Sequence, residues 1–220
     1  MLFEDDGLIA VNKPAGMVVH PTFKNPSGTL LDELRARAAD WPDDRNPTIV
    51  GRLDKYTSGI VIAAKTRSVH STLQRMLSVP ETEKEYLAVV NGFVADECGT
   101  IALPLRIDPA DRRRVAVAPQ GEGQSSETEF RRLSTDEDTS VLLCRLRTGR
   151  RHQIRVHLAA RGWPVVGDRV YGQPLAGFER HALHAWRLSV RHPVSGARLT
   201  IEAPIPLELS ERWPGLTPEA

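Results

Sequence analysis

The chain has 220 residues, of which 40% are hydrophobic and 26% charged, and its formal net charge is +1 at pH 7. This composition is typical of a globular protein with a sizeable core; it argues against wholesale disorder, and no apolar run approaches the roughly 20 residues that span a bilayer. Cys98 and Cys144 form neither a disulfide framework nor a zinc-binding pattern, so we expect no metal site and a reducing, cytoplasmic location.

The positive charge is concentrated in one part of the chain. Residues 145–198 contain eleven arginines and no lysine against Asp168 and Glu179, so this segment carries +9 and the rest carries −8. A local basic surface on a nearly neutral protein is typical of proteins that bind a phosphate backbone. The alternative is an arginine-rich face that is simply solvated.

The first 80 residues mix strand and helix patterns. Apolar runs and helix-capping residues predict, in chain order, a strand at residues 8–11, a helix from Thr29 to about Ala39, a strand at residues 59–64 and a helix at residues 68–77. A loop is expected through residues 14–21, since prolines and a glycine interrupt them.

The second half is dominated by strands. They are predicted at residues 85–90, 100–103, 114–118, 126–133 and 141–147, and are followed by a helix at 151–161 and a hairpin that pairs 183–190 with 198–203. Few helices lie between these strands, so we expect an α+β fold with a largely antiparallel sheet and flanking helices. We expect a single catalytic domain over residues 1–220, with two lobes as the alternative arrangement, and a flexible tail at residues 207–220.

The loop before the strand at residues 59–64 offers a single carboxylate. It reads Gly-Arg-Leu-Asp-Lys-Tyr-Thr-Ser-Gly, with Arg52 two residues before Asp54. A carboxylate that a nearby arginine keeps ionised can act as a nucleophile. The alternative is an Asx turn in which Asp54 only stabilises the loop. A glycosidase would need a second acid, and none stands beside Asp54 in sequence, although the fold could supply one.

An arginine cluster opens the predicted helix at residues 151–161. Arg151 and Arg155 are four residues apart and are predicted to share a helix face, and Arg150 precedes them. Guanidinium groups at a helix N-terminus bind anions, and one arginine can instead turn inward to pair with a carboxylate. His152 and His157 are five residues apart and point about 140° apart on a helix, so they do not form a zinc pair. Hydrogen bonding within the fold is the alternative role for both histidines.

Tyr86 lies in the strand predicted at residues 85–90. Strand alternation puts Lys84 and Tyr86 on one face, with Glu85 and Leu87 on the other. The tyrosine can belong to the core or serve as a stacking surface for a base. The sequence contains no Walker, GxGxxG or GxSxG pattern, so nucleotide cofactors and serine hydrolysis are not supported.

Together these motifs resemble those of the RluA-type pseudouridine synthases. Five stretches match in order, at residues 11–21, 52–59, 83–90, 148–157 continuing to 164–168, and 183–185 with 192–196. The resemblance implies a pseudouridine-synthase-like catalytic fold with a central RNA-binding cleft. It also implies isomerisation of uridine to pseudouridine in ribosomal or transfer RNA, without a cofactor or a metal.

The family resemblance assigns roles to individual residues. Asp54 is the expected nucleophile, attacking either the ribose C1′ or the pyrimidine C6, and the sequence leaves that choice open. Arg155 is expected to pair with Asp54, with Arg150 as the second choice, and Tyr86 to stack on the target base and assist a late proton transfer. Arg52 is expected to displace the base or fill the gap it leaves. The expected substrate-binding residues are Arg52, Thr57, Arg150, Arg151, His152 and Gln153.

Two positions beside Asp54 depart from the family pattern. Gly51 stands where relatives usually have histidine, and Tyr56 where they commonly have aspartate. A catalytically inactive RNA-binding module of the same fold is therefore the main alternative, and a nucleoside glycosidase is a third. Many relatives carry an N-terminal S4-type domain, whereas this chain begins at the catalytic core, so we expect the core itself to recognise RNA. We expect a monomer with no membrane attachment.

Overall fold

The structure is a computed structural model that describes residues 1–42 and 45–217. Within these residues the strands are β1 (Phe3–Glu4), β2 (Leu8–Lys13), β3 (Thr48–Val50), β4 (Ser58–Ala64), β5 (Glu83–Asn91), β6 (Cys98–Ile101), β7 (Leu105–Ile107), β8 (Val115–Val117), β9 (Thr128–Thr135), β10 (Thr139–Leu146), β11 (Leu183–Arg191) and β12 (Arg198–Glu202). The helices are α1 (Leu30–Arg37), α2 (Arg67–Met76), α3 (Gln153–Ala160) and α4 (Leu207–Ser210). In this described part, no helix has the length and apolar character needed to cross a bilayer.

The chain divides into two compact units. Unit 1 comprises Met1–Glu83 and Ala185–Pro204, and unit 2 comprises Lys84–His184 and Ile205–Ala220. The expectation that they act as a single catalytic domain stays a prediction.

Unit 1 is built on antiparallel strands. β2 pairs with β4 from Leu8↔Ala64 to Lys13↔Gly59, β1 adds to β2, and β3 pairs with the second half of β4. β11 lies next to β4 and pairs with β12. Every residue of β4 is buried, and from Ile60 to Ala64 its sequence is continuously apolar rather than alternating. Its core includes Ile62 of β4 and Leu73 of α2.

The start of α1 is set by its sequence. The Thr29 hydroxyl accepts a hydrogen bond from the backbone N–H of Asp32, and the Asp32 carboxylate accepts one from the backbone N–H of Thr29 at 3.0 Å. This capping box satisfies two backbone donors that the first turn leaves unpaired, so the predicted cap at Thr29 is confirmed. Leu30 and Leu34 are buried on the inner face of the helix.

Unit 2 contains four antiparallel strands in the order β5, β10, β9, β6. A separate hairpin, β7–β8, packs Leu105 and Val115 against Val156 of α3. The predicted α+β class with a largely antiparallel sheet is confirmed. The sequence patterns missed β1, β3, β7 and α4, all of which have two to four residues and therefore show no measurable periodicity.

The segment predicted as a flexible tail, residues 207–220, contains short elements, and its flexibility stays a prediction. Residues 207–216 contain α4 and a 3-10 turn, and they bury Leu209, Trp213 and Leu216. The Trp213 ring packs edge-on against Phe178, with the ring centroids 5.4 Å apart. Apolar anchors spaced three or four residues apart hold this segment in place, although prolines and polar residues surround them. Residues 218–220 lie outside the described residues.

Candidate active site

Asp54 lies in the loop that joins β3 to β4. Leu53 anchors this loop by burying its side chain, whereas the Asp54 side chain is half-buried. The backbone N–H of Thr57 donates to the Asp54 carbonyl at 3.1 Å and closes a turn immediately after the carboxylate. Thr57 itself is buried, so this end of the loop lies in the protein interior and not in solvent. Arg52 is exposed beside it.

The buried ammonium of Lys13 links this loop to the neighbouring loop at residues 14–17 by hydrogen bonds. The Lys13 side chain has an exposed fraction of 0%, and its Nζ donates to the carbonyls of Pro14 at 2.8 Å, Met17 at 2.9 Å and Lys55 at 3.1 Å. A buried charge is tolerated only when hydrogen bonds replace its hydration, and three carbonyl oxygens do so here. Sequence reasoning assigned no role to Lys13. The signal in the sequence that could have identified it is a lysine at the end of an apolar strand, directly before a proline.

Gly59 allows the strand after the loop to approach its neighbour closely. Its φ is +111°, and a Cβ at this position would lie 2.1 Å from the carbonyl oxygen of Ala185 in β11. No other residue type fits both the backbone angle and the space. The position of the Asp54 loop therefore depends on a glycine at its end.

Arg155 of α3 forms a buried ion pair in unit 2. Arg155 donates from Nε to Asp168 Oδ2 at 2.7 Å and from Nη2 to Asp168 Oδ1 at 2.8 Å. The exposed fractions are 5% for Arg155 and 0% for Asp168. Burial alone would raise the pKa of the Asp168 carboxyl. The hydrogen bonds and charge of Arg155, together with the backbone N–H of Val170, outweigh burial and hold that pKa below its usual range.

The Tyr171 ring also packs against the Arg155 guanidinium. The Arg155 Cζ lies 5.0 Å from the centroid of the Tyr171 ring, within the range of a cation–π interaction. The Tyr171 hydroxyl lies 2.7 Å from His152 Nδ1 and accepts a hydrogen bond from the backbone N–H of Val115 at 2.8 Å. The inward turn of one arginine toward a carboxylate is thus confirmed for Arg155. Asp168 and Tyr171 were not predicted as site residues, since neither lies near Arg155 in sequence.

The helix α3 begins later than predicted because of His152. This residue has φ +54°, and it is the one non-glycine residue with positive φ within the described ranges. A left-handed residue cannot lie inside a right-handed helix, so α3 begins at Gln153 and Arg151 precedes it. The prediction that Arg151 and Arg155 share a helix face is therefore wrong. Strained backbone of this kind costs about 1–3 kcal/mol and is concentrated at functional sites.

Gln153 supports the arginine cluster from inside the protein. Its exposed fraction is 2%. Its amide oxygen accepts from the Thr148 hydroxyl at 2.8 Å and the Arg150 backbone N–H at 2.9 Å. Its amide nitrogen donates to the Glu127 carbonyl at 2.9 Å and the Thr128 hydroxyl at 3.0 Å. These four bonds give the buried amide a structural role in the loop before α3, and the predicted substrate-binding role of Gln153 stays a prediction.

The two arginines before α3 differ in their surroundings. Arg150 is exposed and donates from Nε to the Ser125 carbonyl at 3.1 Å. The Arg151 guanidinium donates to the backbone carbonyls of Arg112 and Arg113. Arg150 is thus open to a ligand, whereas Arg151 ties α3 to the loop between β7 and β8. The substrate-binding roles of both, and of His152, stay predictions.

Tyr86 lies on β5, opposite Cys144 of β10. The adjacent Glu85 is buried and accepts a hydrogen bond from Arg145 of β10 at 2.8 Å. Strand alternation therefore turns the half-buried Tyr86 to the other face, which it shares with Lys84. Burial lowers the pKa of the Lys84 ammonium. The stacking role of Tyr86 stays a prediction.

The predicted residues therefore fall into two groups. Asp54, Arg52 and Thr57 lie together in unit 1, whereas Tyr86, Arg155 and residues 150–153 belong to unit 2. The carboxylate described beside Arg155 is Asp168, and the pairing of Arg155 with Asp54 stays a prediction.

Comparison with known proteins places these residues in a family context. The family model described as RNA pseudouridylate synthase matches residues 7–160. The chain is 39% identical to "Ribosomal large subunit pseudouridine synthase D" of Xanthomonas campestris, covering 95% of this chain and 66% of that protein. The protein of the same name from Nitrosomonas europaea is 40% identical, covering 96% of this chain and 63% of that protein. The chain thus spans about two thirds of the length of these curated relatives.

A solved structure has the same fold. "Human RNA Pseudouridylate Synthase Domain Containing 1" superimposes with a TM-score of 0.75 at 26% sequence identity, covering 96% of this chain and 86% of that chain. The similarity in sequence and in fold extends over nearly the whole chain.

Proposed function

Because the chain belongs to the RNA pseudouridylate synthase family, we propose that it isomerises uridine to pseudouridine in RNA, with large-subunit ribosomal RNA as the substrate. The observation that carries the proposal is the family match over residues 7–160, which includes the Asp54 loop, Tyr86 and Arg155. The names of the curated relatives favour ribosomal over transfer RNA.

Asp54 acts as the nucleophile in this proposal. Its carboxylate attacks either the ribose C1′ or the pyrimidine C6. The bond from C1′ to N1 breaks, the base turns and a bond from C1′ to C5 forms. The bond to Asp54 then breaks and regenerates its carboxylate, while C5 loses its proton to solvent and N1 gains one. Atoms and electrons balance without a cofactor, because the product is an isomer of the substrate. The rigid support of the loop by Lys13 fits a step that needs precise orientation.

The unit 2 residues offer groups that suit an RNA nucleotide. Tyr86 offers a half-buried ring on which the pyrimidine can stack. Stacking there offsets part of the cost, a few kcal/mol, of moving the pyrimidine out of the RNA stack. Arg155 is already oriented by Asp168, so it can hold a carboxylate or a phosphate oxygen without reorganisation. Arg52 and Arg150 are exposed and can contact the RNA backbone. A monomeric state and a cytoplasmic location remain part of the proposal.

The test is release of tritium from RNA labelled at uridine C5. Unmodified transcripts of large-subunit ribosomal RNA and of transfer RNA are incubated separately with the wild type, Asp54→Asn and Asp6→Asn. Asp54→Asn removes the nucleophile with little change in volume, and Asp6→Asn is the matched control at an exposed aspartate. We expect release from ribosomal RNA with the wild type and Asp6→Asn, and none with Asp54→Asn.

Other outcomes would contradict specific parts of the proposal. Release from transfer RNA alone would overturn the assignment of the substrate. Full release by Asp54→Asn would exclude Asp54 as the nucleophile. No release by folded wild type from either RNA would favour the inactive RNA-binding module.

A further inference from the structure

A tight hairpin at residues 22–25 presents an exposed phenyl ring. The backbone N–H of Thr22 donates to the Asn25 carbonyl at 2.9 Å, and the backbone N–H of Asn25 donates to the Thr22 carbonyl at 3.1 Å. Phe23 lies at the tip with an exposed fraction of 102%, the highest among the large hydrophobic residues of the described chain. Such a ring contributes nothing to the core, so folding does not explain it.

The hairpin is attached to the loop that carries Asp54. Lys55 follows Asp54 directly, and its Nζ donates to the Asn25 side chain at 3.3 Å. The carbonyl of Lys55 accepts hydrogen bonds from the Gly16 backbone N–H at 2.8 Å and from Lys13 Nζ at 3.1 Å. All of these residues belong to unit 1, so the hairpin that carries the exposed ring is hydrogen-bonded to the residue after the proposed nucleophile.

Cations surround this hairpin. Lys24, Arg52 and Lys55 are exposed, and Asp54 is the one acidic residue in residues 20–28 and 51–57 together. Burial lowers the pKa of His20, and the charges of Arg52 and Arg35 lower it further, which puts both guanidinium groups within electrostatic range of the base of the hairpin. Exposed aromatic rings among lysines and arginines are the combination that binds single-stranded nucleic acid.

We propose that Phe23 is a stacking platform for an unpaired base of the RNA beside the uridine to be modified. This inference rests on the proposed function. When the target uridine leaves its stack, the neighbouring base loses a partner, and the Phe23 ring can replace it. A single ring among cations is much smaller than the apolar patch of several hundred Å² that marks a protein partner, so a nucleic acid is the favoured occupant.

The test measures RNA binding directly, with an unmodified transcript of large-subunit ribosomal RNA as the probe in filter binding. Stacking contributes about 1–3 kcal/mol per base, so Phe23→Ala should raise the Kd by about 5- to 150-fold. Phe23→Trp should bind within a few-fold of wild type, whereas Phe23→Leu should not restore binding. Phe93→Ala is the matched control, because Phe93 is also exposed but lies in unit 2. All variants should keep the wild-type melting temperature.

A salt series separates stacking from charge. Phe23→Ala should lower affinity at every salt concentration without changing the slope of log K against log[salt], whereas Lys24→Gln should reduce that slope by about 1. A Kd of Phe23→Ala within twofold of wild type would overturn the inference and leave a protein partner as the occupant. Equal restoration by leucine and tryptophan would show an apolar contact rather than stacking and would also overturn it.

Tritium release by the same variants distinguishes the two proposals. Release by wild type with unchanged RNA binding by Phe23→Ala would refute the stacking role and keep the proposed function. Weakened binding by Phe23→Ala without any release by wild type would support the stacking role and refute the isomerisation.

Discussion

Replacing Asp168 with asparagine removes the negative charge that faces Arg155 inside unit 2. The carboxylate accepts four hydrogen bonds, two from the Arg155 guanidinium and two from the backbone N–H groups of Val170 and Tyr171. An asparagine amide nitrogen cannot accept. At the Oδ2 position it would leave Arg155 Nε without this acceptor, and at the Oδ1 position it would do so for Arg155 Nη2 and both backbone N–H groups. The buried, charged arginine would also lose the negative charge of Asp168.

The size of the effect follows from the burial of the pair. Removing one partner of a buried ion pair costs about 3–5 kcal/mol, because the other charge is left uncompensated. For a chain of this size, a loss of 1 kcal/mol lowers the melting temperature by about 2–4 °C, so the variant should melt about 6–20 °C below wild type. The Asp168→Asn and Arg155→Met double variant should lose less stability than the sum of the single variants.

Circular dichroism during thermal and urea unfolding measures these changes. Glu179→Gln is the matched control, because Glu179 pairs with Arg169 at the surface and both side chains are mostly exposed. A surface pair contributes about 0–1 kcal/mol. If Asp168→Asn were no more destabilising than Glu179→Gln, the buried pair would not hold Arg155 in place.

The pH dependence gives an independent check. The pKa of Asp168 is lowered in the folded protein, so its contribution is present above the unfolded value of about 3.9 and is lost as the pH falls through the lower folded value. The difference in unfolding free energy between wild type and Asp168→Asn should therefore be constant near neutral pH and shrink in acid. A difference that grew below pH 4 would contradict this sign.

Three further predictions concern the loop supports and a buried histidine. Lys13→Met leaves three carbonyl oxygens without this donor. The free energy of unfolding in urea should therefore fall by about 1–3 kcal/mol or more, and tritium release should also fall. Unchanged values would exclude Lys13 as the support of the loop. Gly59→Ala should destabilise by more than about 1 kcal/mol because its Cβ would overlap a neighbouring carbonyl, whereas Gly16→Ala, with positive φ and open space, should cost less in the same melting assay. Burial lowers the pKa of His157 despite its hydrogen bond to a backbone carbonyl, so wild-type stability should decrease as the pH falls below about 6.5. His157→Gln should flatten that dependence in urea unfolding at several pH values, and an unchanged dependence would contradict the prediction.

Local sequence signals predicted most of the fold. The Thr29 cap, the apolar run of β4 and the period of α2 each depend on residues close together in the chain, and all three are confirmed. Short elements such as β1 and β3 were not predicted, because two or three residues form a strand only by pairing with another strand elsewhere in the chain. The motif around Asp54 was visible for the same local reason, since its turn is closed within four residues.

The sequence by itself determined the fold class, the family and the residue types available for chemistry, because capping, periodicity and contiguous motifs act over a few residues. Only the tertiary structure decided how those residues are held. Asp168 pairs with Arg155 from thirteen positions away in sequence, and Lys13 bonds to the Lys55 carbonyl from forty-two positions away. The left-handed backbone of His152 makes α3 begin at Gln153, after the residue at which the arginine pattern predicted its start. The partner of a buried charge is chosen by proximity in space, since desolvation requires a counter-charge or a hydrogen-bonding group wherever the fold places one.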